Sequence, residues 1–429
     1  MKLNIINKKA IPAMIGLLLS SGLFAQTSTL SPYSRFGIGE MLFRGFSHQR
    51  GMGGVAYGGT SAGSLNFSNP ATYAYDSVMV VEFGLDAEVI KQTQGDLKVQ
   101  KTNSRLNTLS LGFPVLKNKI GLAFGIVPYS GKGYDINSTE NAGIDTLGTT
   151  LTSHYKGSGG YTRYFLGLGA NITKNLSLGV NADYLFGTVT RQRRAEFSNT
   201  LLFNNNYQDD LNISDFYFEM GLHWKQKIND KTTLGIGIVG APAQAVKAKR
   251  TLWWVNYRIG SSGSDILKDT ILYQPDVTGT VTLPAYAGIG FNLTSGAKWQ
   301  AGVDFTYQDW SSYKSFGTTD TLKNSMGISL GGSLTPDITS TSYFNRVVYR
   351  AGVYYNQTSL ELRGNQLNEY GVSLGVGLPL RKSLQSAVNI AFEFGQRGTT
   401  TDNLIKEQYA RVVLGLTFNE VWFQKRKYD

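Results

Sequence analysis

The 429-residue sequence predicts an all-β chain: a transmembrane, antiparallel, up-and-down β-barrel of about 14 strands with an N-terminal hatch inside the lumen. Three observations carry that expectation. The chain opens on an export signal, it then repeats stretches of about ten alternating residues, and the connections between those stretches are short and long by turns.

The signal comes first. Lys2, Lys8 and Lys9 precede the apolar run Ile11 to Phe24, which ends at the small residue Ala25 before Gln26. A basic head, an apolar stretch too short to span a bilayer and a small final residue describe a secretory signal over 1–25, so the mature chain begins at Gln26. No later stretch approaches the roughly 18 uninterrupted apolar residues of a membrane helix, which leaves a soluble protein or a barrel. With 50 Gly, 24 Tyr, 22 Phe and only 17% charged residues, the chain is too aromatic for an ordinary soluble protein. Cysteine is absent, so stability must come from backbone pairing and packing. The formal charge of +11 falls to +8 without the three signal lysines; it is scattered, and together with the export signal this argues against nucleic acid as a partner.

From Val78 onward the alternation is sustained. In "YGVSLGVGLPL", Val372, Leu374, Val376 and Leu378 share one face while Gly371, Ser373, Gly375 and Gly377 share the other. Ile120/Leu122/Phe124/Ile126, Phe216/Phe218/Met220/Leu222/Trp224 and Val388/Ile390/Phe392/Phe394 repeat the pattern. Alternation alone also suits a soluble sandwich, and loop lengths decide between the two. Strands are expected near 78–91, 104–116, 119–129, 161–173, 175–190, 213–228, 231–241, 284–294, 297–309, 322–335, 346–358, 368–380, 384–396 and 408–422. Tight turns such as 116–119, 173–175, 228–231, 294–297 and 380–383 then face long connections at 130–160, 191–212 and 242–283, the asymmetry of periplasmic turns and external loops. Tyr129, Tyr161, Tyr164, Trp299, Trp310, Tyr313 and Trp422 lie toward strand ends, where interfacial girdles are expected. Residues 78–429 are expected to form one barrel with no linker to a further domain, in the outer membrane of a double-membraned bacterium and in contact with its lipid.

Residues 26–77 lack this alternation and precede the first strand. A lumen of this width needs filling, and the glycines of "GMGGVAYGGTSAG" let a backbone lie close against walls. Asn69 can close an Asx turn and Pro70 fixes the next φ. A hatch is therefore expected over 26–77. Its Arg35, Arg44 and Arg50 are expected to pair with acids on the inward barrel face, namely Glu82, Asp86, Asp183, Glu219, Asp304 and Glu393. Pro128 cannot donate to a ladder and is followed by Gly131 and Gly133, which suggests a wall irregularity or an ordinary strand end.

No catalytic site is expected. Three G-x-S-x-G matches occur, at Gly59 to Gly63, Gly327 to Gly331 and Gly371 to Gly375, and two of them lie inside alternating strands. A nucleophile elbow needs a helix behind the serine and a His partner, and no helix follows Ser61. Gly235 to Gly240 spells G-x-G-x-x-G within a strand, without the helix a dinucleotide needs. Neither a metal nor a cofactor is expected.

"GGTSAGSLNFSNPATYAY" (58–75) resembles the hatch of the FadL (long-chain fatty-acid transporter) family, with the Asn-Pro-Ala motif at Asn69, Pro70 and Ala71. "LPAYAGIGFNLTSGAKWQAGVDFTYQDWSSY" (283–313) is similar to that family's Leu-Pro, strand, turn and strand with an inward Asp ahead of Trp-Ser. The resemblance implies a fourteen-stranded barrel and one of two roles. In the first, a hydrophobic, fatty-acid-like molecule is captured at the surface and leaves through a gap in the barrel wall as the hatch shifts. In the second, as in PorV-type relatives of type IX secretion, the barrel serves as a partner in an outer-membrane protein secretion or assembly complex. "SPYSRFGIGE" and "NEVWFQKRKYD" fit the second lineage about as well as the first. The loop "RQRRAEFSNTLLFNNNYQDDLN" shows no sustained helical face of the kind on which the family builds a surface capture groove, and 242–283 reads as extended. Trp253 and Trp254, with Leu252 and Val255, make its apolar cluster and can rest on the barrel rim, contact a partner protein or meet a ligand.

Overall fold

The computed structural model of the protein describes residues 29–43, 45–60, 63–143, 148–380 and 383–420. The signal segment, Arg44, Ser61 and Trp422 lie outside the described residues.

Fourteen antiparallel strands close on themselves. They are β1 (Met79–Gln94), β2 (Leu97–Leu116), β3 (Ile120–Gly131), β4 (Thr150–Asn171), β5 (Leu176–Phe197), β6 (Asn204–Lys227), β7 (Thr232–Ala241), β8 (Tyr286–Ser295), β9 (Trp299–Gln308), β10 (Ser325–Leu334), β11 (Val348–Leu362), β12 (Asn365–Leu380), β13 (Ser383–Arg397) and β14 (Lys406–Glu420). Each pairs with its neighbours in sequence, and β14 pairs with β1 from Glu420↔Met79 to Lys406↔Thr93. Closure removes the sheet edges that would otherwise face lipid without hydrogen-bond partners.

The apolar face turns outward. Phe216, Phe218 and Met220 on β6, Leu166 and Leu168 on β4, and Val372 and Leu374 on β12 are all exposed. In water such a surface would drive aggregation; in a bilayer it is the solvent-matched face. Of the expected girdle, Tyr164 and Trp299 are exposed in this way. Tyr129, Tyr161, Trp310 and Tyr313 correct the expectation, because they point inward and are buried. With Ile38, Leu211, Ile213, Val246 and Leu283 they form an apolar core in the barrel mouth.

Two expected external loops are instead largely strand. β5 runs to Phe197 and β6 starts at Asn204, so the connection expected at 191–212 shrinks to 198–203. Residues 242–283 form a hairpin, Gln244–Ile259 with Asp265–Leu283, whose first strand pairs with the upper half of β6. Tyr134–Asn141 pairs with the upper half of β4. Together these make a six-stranded sheet standing above the barrel, on the side where the external loops are expected. Trp253 and Trp254 lie within it as strand residues, each 37% exposed.

Candidate functional site

The hatch fills the lumen, and the wall is built to receive it. Along the inward face, Gly121, Gly169, Gly179, Gly221 and Gly237 come from five successive strands. A Cβ on Gly121 would strike the carbonyl of Tyr73, on Gly179 the Pro70–Ala71 peptide and on Gly237 the carbonyl of Tyr57. The Asn-Pro-Ala stretch lies on this floor. Asn69 is fully buried, its Oδ1 accepts from the Ala71 N–H at 3.1 Å, and its Nδ2 donates to Tyr57 O at 2.8 Å and Leu222 O at 3.2 Å. That cap starts the 3-10 turn Pro70–Tyr75, in which Pro70 occupies a position that needs no N–H. One side chain thus ties two hatch segments to β6.

The six inward acids are all buried, and only some meet the hatch cations. Arg50, 1% exposed, places its fork on Glu393, with Nη2 to Oε2 at 2.5 Å, and reaches Asp86 at 3.3 Å. Arg105 also reaches Asp86, at 3.4 Å. Asp304 takes the backbone N–H groups of Ala56 and Tyr57 at 2.6 and 2.9 Å instead of a cation. Glu82 accepts from Thr417 Oγ1 at 2.9 Å. Asp183 and Glu219 pair with the barrel's own Arg163, at 3.3 and 2.9 Å. Arg35 departs from the expectation altogether. It pairs with none of the six acids and instead lies over the Tyr155 ring at 5.1 Å, because the hatch enters at the mouth, above the level of the acids.

Barrel arginines that sequence reasoning missed complete the lumen. Arg397 holds Glu407 at 2.8 Å and the hatch residue Glu40 at 2.9 Å. Arg411 contacts Glu88 and lies 3.9 Å over the Tyr409 ring. Each sits at an inward, buried position of its strand. Strand parity alone carried that signal.

The wall is irregular at Pro128. β2 and β3 are paired from Leu116↔Ile120 up to Leu109↔Ile126, and among the described residues their ladder stops there although β2 itself extends to Leu97. The β3–β4 register slips between Pro128 and Ser130. The freed edge of β3 is taken by the hatch: Glu40 pairs with Gly131, Met41 with Ser130, and Leu42 N–H donates to Tyr129 O at 3.0 Å. Just beyond, Gly133 N–H donates to Ser34 Oγ at 3.0 Å and Lys132 Nζ to Arg35 O at 2.8 Å. Burial, with Arg191 nearby, pushes the Lys132 ammonium well below its usual range. On the inner side of the seam, Asn107 Nδ2 holds Gly45 O at 3.2 Å, and Phe43, Phe46, Phe67 and Phe165 stack edge to face at 4.7–5.6 Å. A cavity of about 410 Å³ between hatch and wall is lined by Phe43, Tyr57, Phe67, Tyr129, Tyr217 and Tyr286, with the charged groups of Arg50, Arg163 and Glu219 at its sides.

A closed fourteen-stranded barrel that holds its own N-terminal segment, anchored by an Asn-Pro-Ala turn, defines a FadL-like outer-membrane barrel. The BamG family model matches residues 6–429, and the chain belongs to that family. Solved structures share the fold. A Pseudomonas aeruginosa FadL homologue aligns over 89% of this chain and 99% of its own at 15% identity and a TM-score of 0.57. The CymD monoaromatic hydrocarbon channel aligns over 88% and 97% at 13% identity and 0.55. The Pseudomonas putida toluene transporter TodX aligns over 89% and 98% at 16% identity and 0.53. No curated protein matches the chain.

Proposed function

We propose that this barrel takes up small hydrophobic molecules passively across the outer membrane, through the aromatic cavity and the β2–β3 seam, with the hatch as the gate. The observation that carries the reading is the seam itself. The gap in wall pairing is bridged by a hatch strand of two residues, beside a cavity walled by Phe43 and Tyr129. At the seam the hatch is held by these two backbone pairs, by Leu42 N–H on Tyr129 O and by the Glu40–Arg397 ion pair, so opening there requires their joint release and leaves the Asn69 and Arg50 anchors in place. Each methylene that leaves water for such a cavity gains about 0.8 kcal/mol, so no covalent chemistry is required. Two of the aligned channels, a monoaromatic hydrocarbon channel and a toluene transporter, are named for ligands of the same class.

The chain has no cysteine, which makes a lock easy to install. Met41 and Ser130 are direct antiparallel partners, within reach of a disulfide once both are cysteine. In proteoliposomes, oxidised Met41→Cys/Ser130→Cys will slow entry of N-phenyl-1-naphthylamine about tenfold, and reductant will restore it. Entry at the same rate in both redox states would contradict hatch gating, and entry no faster than through empty vesicles in either state would contradict uptake.

A second reading is a non-transporting barrel that partners other proteins in an outer-membrane secretion or assembly complex. The six-stranded extracellular sheet favours it, since a channel needs no such platform, as does membership of a family bearing its own name, BamG. Purification from native membranes separates the two: copurifying hydrophobic molecules support uptake, and stoichiometric proteins support the partner role.

A further inference from the structure

The extracellular sheet presents one straight cross-strand row toward the mouth. Its register runs Ile136↔Tyr155, Tyr155↔Arg193, Arg193↔Tyr207, Tyr207↔Trp254 and Trp254↔Leu272, one residue from each of six strands. Directly opposite residues in a sheet share a face, so these side chains form a continuous strip. The hatch adds Arg35 to it. The Arg35 and Arg193 guanidinium groups lie over the Tyr155 ring at 5.1 and 5.4 Å, and Tyr207 meets Trp254 edge to face at 6.3 Å.

Charge distinguishes this strip from the lumen below. Arg50, Arg163, Arg397 and Arg411 are buried against carboxylates, and at the rim Asp209 serves both Arg250, at 2.9 Å, and Arg191, at 3.9 Å. Arg35 and Arg193 are exposed, and among the described residues neither has a carboxylate within ion-pair distance. Trp254 beside them is 37% exposed. Two unneutralised guanidinium groups in line with Tyr and Trp rings have the composition of a protein-binding hot spot.

We propose that this strip is a docking surface for an extended acidic segment of a partner protein, with carboxylates held by Arg35 and Arg193 and an apolar or aromatic residue set against Tyr207, Trp254 and Leu272. At the usual strand spacing the row is about 24 Å long, the reach of roughly seven extended residues. A lone anion would leave its aromatic half unused. A bilayer lipid cannot lie on it, because the strip faces the mouth and not the lipid side. The inference goes beyond uptake and does not rest on it.

The test uses the full chain in detergent micelles and a fluorescein-labelled peptide of four Glu-Tyr repeats, followed by anisotropy. Saturable binding that weakens with salt is expected, about tenfold weaker for Arg35→Gln/Arg193→Gln and for Trp254→Ala, and unchanged for Lys249→Gln elsewhere on the sheet. Arg35 and Arg193 are exposed, so the variants should keep the heat-modifiable gel shift of a folded barrel. The proposal is overturned if the peptide does not bind, if the double variant binds as tightly as the parent, or if Lys249→Gln weakens binding equally. It is also overturned if inorganic phosphate at matched charge displaces the peptide, which would mean a simple anion site, or if lipopolysaccharide does, which would mean a lipid site. None of these readouts depends on transport.

Discussion

Replacing Arg50 with methionine will destabilise the barrel by about 3–5 kcal/mol and make the hatch accessible to protease from the lumen. The magnitude is that of breaking a buried ion pair by removing one partner, which strands a charge that water cannot reach. Glu393 and Asp86, both buried, lose the fork that spans them, and among the described residues Arg411 lies 3.8 Å from Glu393 and Arg105 3.4 Å from Asp86. Those two relieve part of the loss, so Arg50→Met/Glu393→Gln should recover stability relative to the single variant. Arg50→Lys keeps the charge but not the bidentate fit and should fall between parent and methionine. Urea unfolding in lipid vesicles reads the first effect and limited proteolysis the second. An unchanged midpoint together with an unchanged digestion pattern in Arg50→Met would show that this anchor does not hold the hatch.

A wall glycine should matter as much, for a steric reason. Gly237→Val places a Cβ against the Tyr57 carbonyl and within 2.8 Å of Asn69 Nδ2. Backbone cannot move aside as a flexible side chain can, and valine suits a strand, so the hatch and not the wall must give way. The variant is expected to assemble as a barrel, to lose protection of the hatch around Tyr57 and Asn69, and to leak ions. The conservative change Ile238→Val, on the adjacent lipid-facing position, should do none of this. Normal hatch protection in Gly237→Val would mean that the close approach is not needed.

These two cases mark what the sequence made legible. All fourteen strands were readable because a lipid-facing side chain on every second residue leaves an unambiguous period, as in Phe216, Phe218 and Met220. The same signal fails above the membrane. In "RQRRAEF" both faces of β5 meet water or polar neighbours, so alternation stops while backbone pairing continues to Phe197. The loop expected there was strand for that reason. Tyr129 and Tyr161 misled in a related way, since an aromatic at a strand end serves a girdle or a mouth core equally well, and only the hatch at Ile38 decides. Inward acids could be read from parity, but which cation each one meets depends on chords across the lumen. Arg50 found Glu393 from 343 positions away, while Asp183 and Glu219 pair with Arg163, one strand and two strands distant. Pro128 could be read as a ladder breaker; that the freed edge is covered by Glu40 and Met41 could not.

The N-terminal segment is expected to seal the barrel from within. Single-channel recording in planar bilayers tests it most directly, by comparing the intact chain with one lacking residues 30–77. No steady ohmic current is expected from the intact protein, and a large, stable pore from the truncated one. A porin-sized conductance from the intact chain, or equal currents from a folded truncated barrel, would contradict it.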